Sequence, residues 1–130
     1  MIDYVESSAL AKLVLVEAEQ SALKAYLAMS SATATSLLSV AEVARAAARR
    51  GEQERSTAAL VFEGFLFLDI DRQVIDAAAR LQPATLRTLD AIHVVSALQL
   101  GSELRSFVTY DVRLADAARA AGLPVVSPGT

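Results

Sequence analysis

Short apolar runs of strand length recur along this chain, with stretches of helical periodicity between them. The runs fall at residues 2–5, 32–35, 65–70, 106–110 and 123–126, and 65–70 is the most strongly strand-like of them. Helical patterns cover residues 7 or 8 to 16, 17–28, 37–50, 52–63, 71–81, 88–100 and 112–121, with Gly51, Gly101 and Gly122 as stop signals. A tight hairpin can join only antiparallel strands. A helix between two strands makes a crossover, and crossovers place strands side by side in parallel. The pattern therefore predicts an α/β fold of three α/β/α layers around a mostly parallel sheet of four to five strands.

The length of 130 residues suits one domain, spanning residues 1–130, without a linker or internal repeat. Hydrophobic residues make up 54% and charged residues 21%, enough to build a core and too apolar for disorder. The absence of Cys excludes disulfides, thiolate metal sites and Cys nucleophiles, and a single His excludes a multi-histidine metal site within one chain. Ala-rich stretches at 44–48 and 117–121 permit close helix packing, either inside the domain or between two copies. The first residues lack the basic region and cleavage site of a signal peptide, and no apolar run reaches the roughly 20 residues that span a bilayer. The expectation is a soluble, cytoplasmic protein with no membrane partner.

With 12 basic and 15 acidic residues the net charge is −3, and the basic residues are scattered. A protein of this kind cannot grip phosphates by a basic stripe. The acids are more informative. Glu6 follows the first strand, Glu42 and Asp90 are embedded in apolar neighbours near helix starts, and Asp111 follows the strand at 106–110. In an open parallel sheet the strand C-termini and the following helix N-termini share one edge, where ligands bind. Four carboxylates gathered there repel one another by several kcal/mol per close pair, so either their pKa values rise or a cation enters. All-oxygen ligation suits Mg²⁺ or Mn²⁺. Each acid also has a structural reading: residues 39–42 match a capping box, Asp90 suits the positive end of a helix dipole, and Asp111 and Glu6 suit helix starts. His93, one turn beyond Asp90, could contact RNA but reads first as a packing residue, and Asp116 could be a fifth acid at the rim but reads first as a solvated one.

Three segments resemble the PIN-domain ribonucleases, specifically the VapC-type toxins of bacterial toxin–antitoxin systems. They are Tyr4-Val5-Glu6-Ser7-Ser8-Ala9-Leu10, Leu89-Asp90-Ala91-Ile92-His93, and Phe107-Val108-Thr109-Tyr110-Asp111-Val112-Arg113-Leu114. Glu42, in Ser39-Val40-Ala41-Glu42-Val43, matches the family's second acid. The resemblance implies a PIN-like domain and metal-dependent cleavage of RNA. Glu6, Asp90 and Asp111 would bind Mg²⁺ or Mn²⁺, and Glu42 would complete the catalytic set. Ser7, Thr109 and Arg113 would contact substrate or the metal's waters. It further implies a homodimer and a cognate VapB-type antitoxin that holds the toxin inactive. The family's pattern has Asp where this chain has Glu6, so the carboxylate reaches one methylene further.

Other readings remain open at this stage. Asp69, after the run Phe67-Leu68, invites comparison with a phosphoaccepting receiver domain, but no Lys follows the last strand. Asp69 and Asp71 form an Asp-x-Asp as in haloacid-dehalogenase phosphatases, but that motif belongs at the first strand; Asp71 suits a helix N-cap instead. A catalytically inactive relative that only binds a partner is a third reading, which a loss of metal binding at Glu6 would favour.

Overall fold

The central strand is the first one made. In the computed structural model, which describes residues 1–130, β1 (Ile2–Val5) lies between β2 (Ala32–Ser36) and β4 (Leu104–Val108). Outside these, β3 (Leu66–Leu68) pairs with β2, and β5 (Val125–Val126) with β4. The order is β3-β2-β1-β4-β5, and every pairing is parallel. This is the α/β sheet that the alternation of runs and helices predicts, and seven helices of eight to fourteen residues cover it.

Successive residues of a strand point to opposite faces, and the two central strands use both. Val5 and Val108 face α1 (Ser7–Val14), α2 (Gln20–Leu27), α3 (Leu37–Arg50) and α4 (Glu52–Phe62), packing with Leu10, Leu23, Val43, Ala47 and Ala58. Tyr4 and Phe107 face the other side, where their rings stack with centroids 5.3 Å apart. There they meet Val94 and Ala97 of α6 (Thr88–Leu98) and Leu114 and Ala118 of α7 (Val112–Ala120). α5 (Arg72–Arg80) packs beside α6 through Val74, against Ile92 and Val95. The small residues Ala47, Ala58, Ala97, Ala115 and Ala118 are all buried, so much of the alanine serves internal packing.

The structure revises three local expectations. The run at 65–70 forms only three paired residues at the sheet edge, with Leu66 and Phe67 exposed, because its one neighbour is β2. β4 starts and ends two residues earlier than expected, so Asp111 does not directly follow the strand; Thr109 and Tyr110 intervene. Gly51, between α3 and α4, has φ 146° and ψ −177° rather than the left-handed helical conformation. This region is essentially restricted to glycine, and a Cβ there would also lie 3.1 Å from Glu54 Oε1.

Candidate active site

The chain runs outward from β1 in both directions across the sheet, so the switch point lies between β1 and β4. Crevices at the carboxyl ends of strands form at such points. Glu6 leaves β1 there and Asp111 leaves the β4 side, while α6 brings Asp90 in its first turn. Asp90 and Asp111 line one small cleft of about 40 Å³ together with Thr85, Arg87 and Arg113.

Glu6 is buried, and its carboxylate is held by three donors. Oε1 accepts from Thr109 Oγ1 at 2.6 Å and from Ser8 Oγ at 2.5 Å, and Oε2 accepts from the Ser8 N–H at 3.0 Å. The last contact makes Glu6 the N-cap of α1. Thr109, fully buried, also accepts from the Asp111 N–H at 3.1 Å, so one hydroxyl ties the two acids together. Asp111 caps α7 through the Leu114 N–H at 3.1 Å. Both carboxylates are therefore the helix caps that the sequence allows, and Asp111 lines the cleft as well.

Asp90 differs. No hydrogen bond offsets its environment, and its carboxyl is pushed above the usual range first by burial, then by the charges of Asp111 and Glu6. The three acids therefore sense one another electrostatically. No three acidic or imidazole groups in the chain stand close enough to form a ready-made coordination set. Glu6 in particular is turned toward Ser8 and Thr109. Two aspartate carboxylates on one cleft, with Arg87 and Arg113 at its edge, offer the oxygen donors of a hard cation such as Mg²⁺, which is held by one or two carboxylates and keeps several waters. By this measure the residues fit the cation that the acids imply.

Glu42 lies one step away and does not line the Asp90–Asp111 cleft. Its Oε1 accepts from His93 Nε2 at 2.8 Å and from the Ser7 hydroxyl. Burial alone would raise its carboxyl, but the hydrogen bonds from His93 and Ser7 outweigh it and hold Glu42 below the usual range. The expected capping box at 39–42 is not formed. α3 starts at Leu37 with Ser36 as N-cap, its hydroxyl oxygen accepting from the Leu38 N–H, and Ser39 instead bonds Thr35 and Ser7. Ser7 and Thr109 both hold carboxylates, while Arg113 stands exposed at the cleft rim.

Two further residues stand near these acids, one unremarked in the sequence and one read there as packing. Arg87, just before α6, lines the cleft opposite Arg113; its place three residues ahead of Asp90 was the available signal. His93 reads as packing from its apolar neighbours, and it is buried, but both its ring nitrogens are engaged by polar partners. Asp69 is exposed beyond the edge strand β3, and Asp71 caps α5 through the Val74 N–H at 2.9 Å, so neither joins the acidic cleft.

The fold is an open parallel α/β sheet that brings two carboxylates to one cleft at its central switch point. The family model described as PIN domain matches residues 4–120. Ribonuclease VapC46 of Mycobacterium tuberculosis (strain ATCC 25618 / H37Rv) is 41% identical over 125 residues, covering 96% of each chain. Ribonuclease VapC47 of Mycobacterium tuberculosis (strain CDC 1551 / Oshkosh) is 40% identical, covering 97% of this chain and 96% of its own. Among solved structures, Mycobacterium tuberculosis VapC20, described as a sarcin-ricin loop cleaving toxin, superimposes with a TM-score of 0.76 at 19% identity, covering 97% of this chain and 99% of its own. A toxin–antitoxin complex from Klebsiella pneumoniae gives 0.74 at 22% identity, with 97% of each chain covered. The chain belongs to the PIN-domain family, and within it to the VapC-type ribonucleases.

Proposed function

We propose that this chain is the toxin of a cytoplasmic toxin–antitoxin pair and cleaves RNA internally with the help of Mg²⁺ or Mn²⁺. The observation that carries the reading is the pairing of Asp90 and Asp111 across one cleft at the switch point, with Glu6 close enough to raise Asp90. Asp90 and Asp111 would hold the ion, with Glu6 behind them. A bound divalent cation supplies a water of lowered pKa and positive charge for the scissile phosphate.

The chain's own groups do the remaining work. Glu42, kept ionised by His93 and Ser7, is the acceptor that orients a nucleophilic water. Thr109 and Ser8 fix Glu6, and Thr109 fixes the backbone at Asp111. Arg113 and Arg87 on the rim offer guanidinium groups to the RNA backbone, local positive charge that the acidic chain as a whole lacks. Structural neighbours solved as toxin–antitoxin complexes support the partner reading, a VapB-type antitoxin that silences the cleft; the homodimer is carried by the family resemblance alone.

Purified protein should cut RNA when Mg²⁺ or Mn²⁺ is supplied and stop when a chelator is added. The same ions should raise its melting temperature, because a ligand that binds only the folded state stabilises it by mass action. Cleavage that persists in chelator would overturn the metal assignment. A well-folded protein that never cuts, yet captures a short antitoxin, would favour the non-catalytic reading instead.

A further inference from the structure

The hydrogen-bond donors around Glu42 can be counted one by one, and the count leaves a single arrangement. Ser7 has one hydroxyl proton and faces Ser39 Oγ at 3.1 Å as well as Glu42 Oε1; the carboxylate is much the nearer and takes it. The contact between Ser7 Oγ and His93 Nε2, 3.1 Å, therefore has no proton from the serine side. His93 Nε2, 2.8 Å from the same carboxylate oxygen, must carry a proton of its own. On the opposite side of the ring, Nδ1 is 2.7 Å from the Tyr4 hydroxyl. That hydroxyl accepts from the Ser36 N–H at 3.3 Å, so its remaining proton points at Nδ1. Burial pushes the Tyr4 hydroxyl far up, so it stays protonated as a donor. Tyr4 and His93 are both buried, and the imidazole meets the tyrosine ring edge-on. Neither residue touches the Asp90–Asp111 cleft.

We infer that Tyr4 and His93 form a one-directional positioning relay, from the Ser36 N–H through the Tyr4 hydroxyl to His93 Nδ1, and from His93 Nε2–H to Glu42. Its work is to fix the imidazole as the Nε2–H tautomer and to hold one Glu42 oxygen, leaving the other free for the site. The relay crosses from the centre of the sheet to α3, and so couples the acid on α3 to the helix that carries Asp90. His93 is a positioning residue; it does not touch the reacting atoms. The inference rests on the placement of Glu42 in the site, and its primary test does not.

The chain has one histidine, so a long-range ¹H–¹⁵N correlation on uniformly labelled protein reads this ring without assignment. At mildly alkaline pH the expected result is a single neutral ring protonated at Nε2. A ring protonated at Nδ1, a doubly protonated ring, or an average of the two tautomers would overturn the relay. Glu42→Ala should shift the Nε2 resonance and leave Nδ1 in place; an unmoved Nε2 would also overturn it. In RNA cleavage, His93→Ala should lower kcat roughly tenfold at constant KM, the usual cost of removing a group that orients a catalytic side chain. His93→Gln, which keeps an N–H donor, should recover most of that loss. Equal losses in the two folded variants would return His93 to a packing role. A wild type that shows the Nε2–H ring but no cleavage would sink the nuclease reading while leaving the relay standing.

Discussion

Asp90→Asn should leave a folded protein with RNA cleavage reduced on the order of a thousandfold. A catalytic metal contributes several kcal/mol to transition-state stabilisation, and each ~1.4 kcal/mol is a factor of ten in rate. Asn keeps the size of the side chain and removes the charge that would hold the ion. The effect on stability has the opposite sign. Burial, Asp111 and Glu6 raise the Asp90 carboxyl in the folded protein, so its contribution is complete below the usual aspartate range and is lost as pH rises through the folded value. The variant has no such loss. Its melting temperature, measured without divalent ions, should exceed that of the wild type, by a margin that grows from acid to neutral pH. Added Mg²⁺ should stabilise the wild type and not the variant. Unchanged cleavage by Asp90→Asn would place the chemistry elsewhere.

Arg105→Ala should cost about 3 kcal/mol of folding stability, the lower end of what removing one partner from a buried ion pair costs. Asp3 is fully buried in the central strand. Its carboxylate accepts from Arg105 Nε at 2.9 Å and Nη2 at 2.7 Å, from Ser106 Oγ at 2.6 Å and from the Ser30 hydroxyl. Arg105 in turn lies over the Tyr26 ring, 4.4 Å from its centroid. Burial alone would raise the Asp3 carboxyl, but the hydrogen bonds from Arg105, Ser106 and Ser30 and the Arg105 charge hold it below the usual value of 3.8. For a depressed acid the stabilisation is present above that value and is lost as pH falls through the lower folded one. The wild type should therefore resist acid down to about the ordinary aspartate range, and Arg105→Ala should unfold at higher pH. Urea melts at several pH values measure both effects, and an unchanged midpoint would show that the pair contributes nothing.

The sheet was legible in the sequence because each strand is an apolar run short enough to be bounded by helix signals. β1, with Tyr4 and Val5 facing opposite ways, is the best example. Residues 65–70 show where this reasoning stops. Phe65, Leu66, Phe67 and Leu68 have strand chemistry, but chain order does not reveal that β3 is an edge, where one neighbour supports only three residues. Glu6, Asp90 and Asp111 were recognisable as acids in the wrong surroundings, and the fold does bring them within electrostatic reach. What one-dimensional reading could not supply was the partner of each. Asp3, inside the first apolar run, is the hub of an ion pair with a residue from another strand, and nothing beside it in the chain points to Arg105. His93 read as packing because its neighbours along the helix are apolar, whereas its polar contacts come from β1, α1 and α3.

The pairing of β1 with β4 joins residues 103 positions apart, as the Asp3–Ser106 and Glu6–Thr109 hydrogen bonds record. Contacts of that span form late, because nearly the whole chain must close on itself first. During synthesis a growing polypeptide exposes Glu6 at once but has nothing to set it against until the codons for β4 and α7 have been read. A ribosome-bound fragment therefore carries half a sheet and no complete acidic cleft. The cleft thus exists only in molecules whose last third has been made, and never on a growing chain.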